Sequence, residues 1–95
     1  MSMKKAYEQK LQAQLDEFGA EIDKLQAKAD KASAEARIGY HKQIGELRTM
    51  RDEAGKKLTE LRDAGDDAWE DLKAGIDNAW TSLSASVKSA AARFS

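Results

Sequence analysis

An all-α fold is predicted by three features of the chain: helical spacing of apolar residues almost from end to end, no proline in 95 residues, and a composition in which 35% of residues are charged and aromatics are few. Long helices and coiled coils have this composition. Proline is the strongest single breaker of regular structure, and a fold of many short elements usually needs such punctuation. At this length the chain is at most one domain. The expectation is a single helical domain over residues 1–95. Its long amphipathic helix carries a heptad seam over about residues 7–40 and an eleven-residue repeat over about 47–94, and it forms a coiled coil or helical bundle.

The amino-terminal stretch opens raggedly. Ser2 has the side chain of a helix N-cap, yet Lys4 and Lys5 would lie against the positive end of the helix dipole. A clear seam follows: Leu11, Leu15, Phe18, Ile22, Leu25, Ala29, Ala32 and Ala36. The spacings alternate between four and three, which is a heptad pattern with two apolar columns. Glu21, Lys24, Lys28, Lys31 and Glu35 fall outside it and are placed for surface ion pairs. From Ala27 to Ala36 the seam holds five alanines and no large apolar residue. Alanine is the best helix former, so this part reads as a propensity-driven helix with a weak interface. A closely approached seam of small residues is the sharper reading.

Near Ala36 the phase slips. Ala36, Tyr40, Ile44 and Leu47 are spaced 4, 4, 3, which inserts a stutter. Gly39 and Gly45 flank it, and each costs roughly 1 kcal/mol in a helix interior relative to alanine. A bend over residues 39–45, giving a helical hairpin, is the first alternative to a continuous helix.

From Leu47 onward the spacing becomes 3, 4, 4: Leu47, Met50, Ala54, Leu58, Leu61, Gly65, Trp69, Leu72, Ile76, Trp80, Leu83, Val87, Ala91 and Phe94. Eleven residues over three turns is about 3.67 per turn, which favours a straight or slightly right-handed course. Residues 58–90 show the repeat most clearly, with Leu58, Trp69 and Trp80 at its first position and Leu61, Leu72 and Leu83 at its fourth. Gly65 is the second candidate break. It has the character of a residue just past a helix end, and Asp67 with Glu70 has the spacing of a capping box. The register passes through Gly65 without an offset, which favours a continuous helix there.

The chemistry-bearing residue types do not converge. His41 is the only histidine and cysteine is absent, so one chain lacks a zinc-ligand set. Asp16-Glu17, Asp52-Glu53, Asp66-Asp67 and Glu70-Asp71 are adjacent pairs, and adjacent residues on a helix do not face each other. Gly39, Gly45, Gly55, Gly65 and Gly75 follow no strand, so they do not form a phosphate loop. Neither enzymatic activity, a catalytic residue, a cofactor, a metal nor a small-molecule substrate is expected. The formal net charge is −1, with both signs interspersed, and nucleic acid is not an expected partner. The amino terminus has no apolar run after its basic residues, and no segment is long enough to span a bilayer, so a cytoplasmic location is expected.

Two likenesses bear on this reading. The run Ala6-Tyr7-Glu8-Gln9-Lys10-Leu11-Gln12-Ala13-Gln14-Leu15-Asp16-Glu17-Phe18 resembles a group of short bacterial coiled-coil proteins without an assigned activity. So do Asp67-Ala68-Trp69-Glu70-Asp71-Leu72-Lys73-Ala74-Gly75, Ala79-Trp80 and Ala92-Arg93-Phe94. The resemblance implies a small all-helical bacterial protein and carries over no functional residue. The eleven-residue period is similar in kind to that of lipid-surface and desiccation-protection proteins, although the Trp and Leu content here is richer.

A lone helix of about 90 residues would be about 135 Å long and would leave its apolar stripe in water. Self-association into a homo-oligomer is therefore the expected function. Its seam is Leu11, Leu15, Phe18, Ile22, Leu25, Ile44, Leu47, Leu58, Leu61, Trp69, Leu72, Ile76, Trp80, Leu83 and Val87. The alternative is reversible binding to a membrane or hydrophobic particle through the face that carries Trp69 and Trp80.

Overall fold

The computed structural model describes residues 3–94, and Ser2 lies outside them. The heptad columns of the amino-terminal third form α1 (Met3–Asp30), with Leu11, Leu15, Ile22, Leu25 and Ala29 buried. α2 (Ala34–Asp63) buries Ile44, Leu47, Ala54, Leu58 and Leu61. α3 (Trp69–Arg93) buries Trp69, Ile76, Trp80, Leu83, Val87 and Ala90. The fold is all-α: the described residues form three helices running up, down and up. The bundle is 51 Å long and 19 by 18 Å across.

The helical bundle is thus made by folding the chain twice: the alternative break at residue 65 is present, though not in the expected form, and the one expected over 39–45 is not. The chain is uninterrupted through Gly39 and Gly45 and turns instead at Lys31, Ala32 and Ser33. The physical reason lies in the alanine-rich stretch, where no large side chain holds the helix to a neighbour and a good N-cap is available. Ser33 adopts φ −61°, ψ 158°, and its side chain accepts a hydrogen bond from the Ala36 N–H at 3.3 Å. Glu35 in the first turn complements the dipole. Ser33→Ala is expected to lower stability by about 0.5–1 kcal/mol, the lower part of the range for N-caps because the bond is long. Urea denaturation followed by circular dichroism measures this, and an unchanged midpoint would show that the turn needs no cap.

The second break is at residue 65, where the unbroken register favoured a continuous helix. α2 ends on Ala64 at φ −74°, ψ 145°, and its N–H donates to the Leu61 carbonyl. Gly65 does not use the left-handed region. Its carbonyl accepts from Ala68 N–H at 3.1 Å and Trp69 N–H at 3.3 Å, so one helical turn already leads into α3. The N-cap of α3 is Ala68, which provides no side-chain cap, and the Asp67–Glu70 capping box does not form. The apolar register of the sequence runs through this turn without an offset.

Lys4 explains its own position. Its Nζ reaches across the bundle to the Ala64 carbonyl at 2.7 Å and the Arg62 carbonyl at 3.1 Å. An ammonium that sits poorly at the start of α1 therefore satisfies the exposed carbonyls at the negative end of α2.

Candidate functional site

The apolar stripe is the chain's most distinctive chemical feature. Of the fifteen residues expected to form a seam with a second chain, Leu11, Leu15, Ile22, Leu25, Ile44, Leu47, Leu58, Leu61, Trp69, Ile76, Trp80, Leu83 and Val87 are buried, while Phe18 and Leu72 are half-buried. All belong to one core shared by the three helices of the same chain. In this conformation the seam is turned inward, and the surface left for association lies at its margins. The only large apolar side chains exposed among the described residues are Met3 and Ile38.

α1 and α2 are the most closely associated pair, and α1 and α3 the least. Along the α1–α3 side runs an open groove. One stretch, of about 750 Å³, has Leu11, Phe18 and Trp80 on its floor and Lys10, Glu17, Asp77 and Lys88 on its rims. A second stretch, of about 450 Å³, adds Val87 and Ala91, with Glu21 on its rim. Phe18 and Lys88 line both, so the groove follows the carboxy-terminal half of α3. Between its apolar contacts α3 presents Thr81, Ser84 and Ala85, which leave room for a neighbouring side chain.

Each end of the bundle is closed by aromatic contacts. At one end Tyr7 meets Trp69 with ring centroids 5.8 Å apart, and Lys73 Nζ sits 5.4 Å from the Tyr7 ring centroid. The Tyr7 hydroxyl donates to an Asp77 carboxylate oxygen. At the other end Tyr40 packs on Phe94 at 4.1 Å, and its hydroxyl donates to the Arg93 carbonyl at 3.4 Å. Midway, Trp80 Nε1–H donates to the Leu11 carbonyl at 3.3 Å, which satisfies the one polar atom of a buried indole. Tyr40 stands on the seam spacing, and Tyr7 lies four residues before Leu11. Extending the period by one turn would have found Tyr7. Nothing in the sequence marks its Asp77 partner.

Burial, with the Asp77 carboxylate as hydrogen-bond acceptor and negative neighbour, raises the Tyr7 hydroxyl well above the ordinary tyrosine range. The folded chain therefore keeps this proton at a pH where the unfolded chain begins to lose it. The associated stability is fully present below the unfolded value of about 10 and is lost as pH rises from there toward the raised folded value. The wild-type midpoint of urea denaturation should fall more steeply above that pH than the Tyr7→Phe midpoint. Parallel profiles would show that Tyr7 titrates normally.

The remaining sequence candidates stay apart. His41 is exposed, with Nε2 3.4 Å from an Asp30 oxygen. Among the described residues no group of three His, Cys, Asp or Glu side chains is placed to hold a metal ion. Ion pairs such as Lys24–Glu21 and Arg48–Asp23 lie on the surface at 3.3 and 3.4 Å, where such pairs add at most about 1 kcal/mol. Of the described helices, none is long and apolar enough to cross a membrane. No protein-family model, curated protein or solved structure significantly matches the chain.

Proposed function

We propose that this protein is a non-enzymatic structural and interaction module that self-associates, its partner being a second copy of the same helical chain. The supporting observation is the open α1–α3 groove, where half-buried Phe18 and Ala91 bring the apolar stripe to the surface above buried Trp80 and Val87, between rims that carry charges of both signs. A groove between two parallel helices accepts a further helix by the same side-chain interdigitation that holds a bundle together. Mixed rims with Lys10 and Lys88 beside Glu17 and Asp77 suit a self-complementary contact. Sedimentation equilibrium across micromolar to millimolar concentrations should give a reversible dimer or higher oligomer. A monomer throughout that range would overturn the proposal.

A second reading is reversible binding to a membrane or hydrophobic particle through α3. After Asp77 the helix carries Lys88 and Arg93 as its only charged residues. Trp69 and Trp80 are already buried, so α3 would have to leave the bundle to present them. Quenching of tryptophan emission by vesicles of brominated phosphatidylcholine and phosphatidylglycerol reports that event. Absence of quenching at every lipid ratio would exclude bilayers.

A further inference from the structure

We infer that self-association proceeds by exchange of α3 between two copies: the turn at Ala64 opens, α2 and α3 join into one helix, and each α3 packs on its partner's α1–α2 pair. This rests on the self-association reading above and assigns it a mechanism.

The first observation is register. From Leu47 to Phe94 the 3, 4, 4 spacing never slips, and every position on it except Gly65 is buried or half-buried. The single exposed position is the one in the turn. A bundle folded through an ordinary loop has no reason to keep α2 and α3 in one phase. A chain that also populates a joined helix does, because its stripe must then stay on one side.

The second observation is the turn itself. The residues after Gly65 are already wound, since the Gly65 carbonyl accepts from Ala68 and Trp69 and the Ala68 carbonyl accepts from Asp71. Ala64 departs from helix mainly in ψ, at 145°. Rotating it to about −42°, with Gly65 brought to helical angles as well, continues the helix. No residue of the turn has positive φ, and the chain has no proline to forbid the rotation. Joining also satisfies carbonyls at the end of α2 and N–H groups at the start of α3 that a break leaves without helical partners. Since Ala68 gives α3 no side-chain cap, little is lost at that end.

The third observation is what holds the turn shut. Lys4 Nζ binds the Arg62 and Ala64 carbonyls from outside the hinge, and this contact must break when α2 runs on. Exchange keeps the core contacts. Trp80 still meets Leu11 and Phe94 still meets Tyr40, but from the other chain. The closed form has the advantage of high local concentration, so exchange is favoured as the protein is concentrated.

The experiment uses the full chain with Lys42→Cys and Ser89→Cys, both at exposed positions near the Tyr40–Phe94 end. Each cysteine carries a spin label, and the doubly labelled chain is diluted into unlabelled protein. In the closed bundle the pair lies within about the bundle's 19 Å width plus the label tethers. In the joined helix the two sites are separated by about 70 Å. The expected result is a long intrachain distance whose population grows with concentration in parallel with the dimer. Gly65→Pro should weaken dimerisation by at least about 100-fold, because proline is excluded from a helix interior. It suits the closed turn, since Ala64 already has the extended conformation that the residue before proline prefers. Its melting temperature as a monomer should therefore match or exceed wild type. A dimer that keeps the short distance, and that Gly65→Pro leaves intact, overturns exchange and leaves groove-to-groove association standing. A monomer at all concentrations overturns both.

Discussion

Replacing Trp80 by alanine is expected to cost about 3–5 kcal/mol of folding stability, the range for removing a large aromatic side chain from a packed core. The indole is 5% exposed, and its N–H is bonded to the Leu11 carbonyl of a helix on the opposite side of the core. A domain of this size has about 5–15 kcal/mol in total. The loss would thus leave a marginal protein, visible as a collapse of the urea midpoint by circular dichroism. Trp80→Phe should recover roughly half of it, since the ring returns but the indole N–H and part of the volume do not. A loss below about 1.5 kcal/mol on Trp80→Ala would mean that the side chain is not in a core at all. That is the outcome demanded by a single extended helix whose stripe faces water.

The same residue shows what was legible from sequence. Periodicity states which face of a helix is apolar, and that face is buried here from Leu11 to Phe94. It does not state what the face is buried against. A partner chain and the chain's own next helix present the same leucines, so periodicity alone does not separate self-association from the intrachain packing seen here. The breaks were obscure for a related reason. Ser33 and Ala64 leave the helical region at ψ 158° and 145°, and the helix resumes within a few positions. At Ala64 the phase runs on unbroken, and near Ser33 the slip comes only at Ala36, inside the next helix. Ser33 followed by Glu35 was a local start signal that the surrounding alanines masked. At Gly65 the unbroken register argues against a turn, yet the chain turns there with the register intact.

Contacts across the bundle ends were hidden more deeply. Lys4 looks like a liability when α1 is considered alone, and becomes a cap only once the end of α2 lies beside it. Asp77 is one acid among several until Tyr7 is placed within hydrogen-bonding reach. Such pairings are separated by 60 and 70 residues, and no local pattern encodes them. The groove belongs to the same class. Its floor residues are on the seam, but its openness reflects how far α1 and α3 stand apart.

The triple variant Gly39→Ala, Gly45→Ala, Gly75→Ala is expected to raise stability by about 1.5–3 kcal/mol in all. All three glycines are inside helices and exposed, and a methyl group added at any of them meets nothing within 4 Å. Alanine there loses less backbone freedom on folding than glycine and strains nothing, so the gains should nearly add. The melting temperature should rise on the order of 10 °C. Gly19→Ala is the internal control. Its methyl group would lie 2.9 Å from Arg51 Nε and 3.0 Å from Nη2, so the guanidinium must shift, and the propensity gain should be largely cancelled. If the triple variant were instead destabilised, Gly39 and Gly45 would mark a bend after all, and the first turn would have to move from Ser33 into α2. If it is stabilised while Gly19→Ala is not, the exposed glycines are tolerated helix positions, and close approach of α1 to α2 is what sets Gly19 apart.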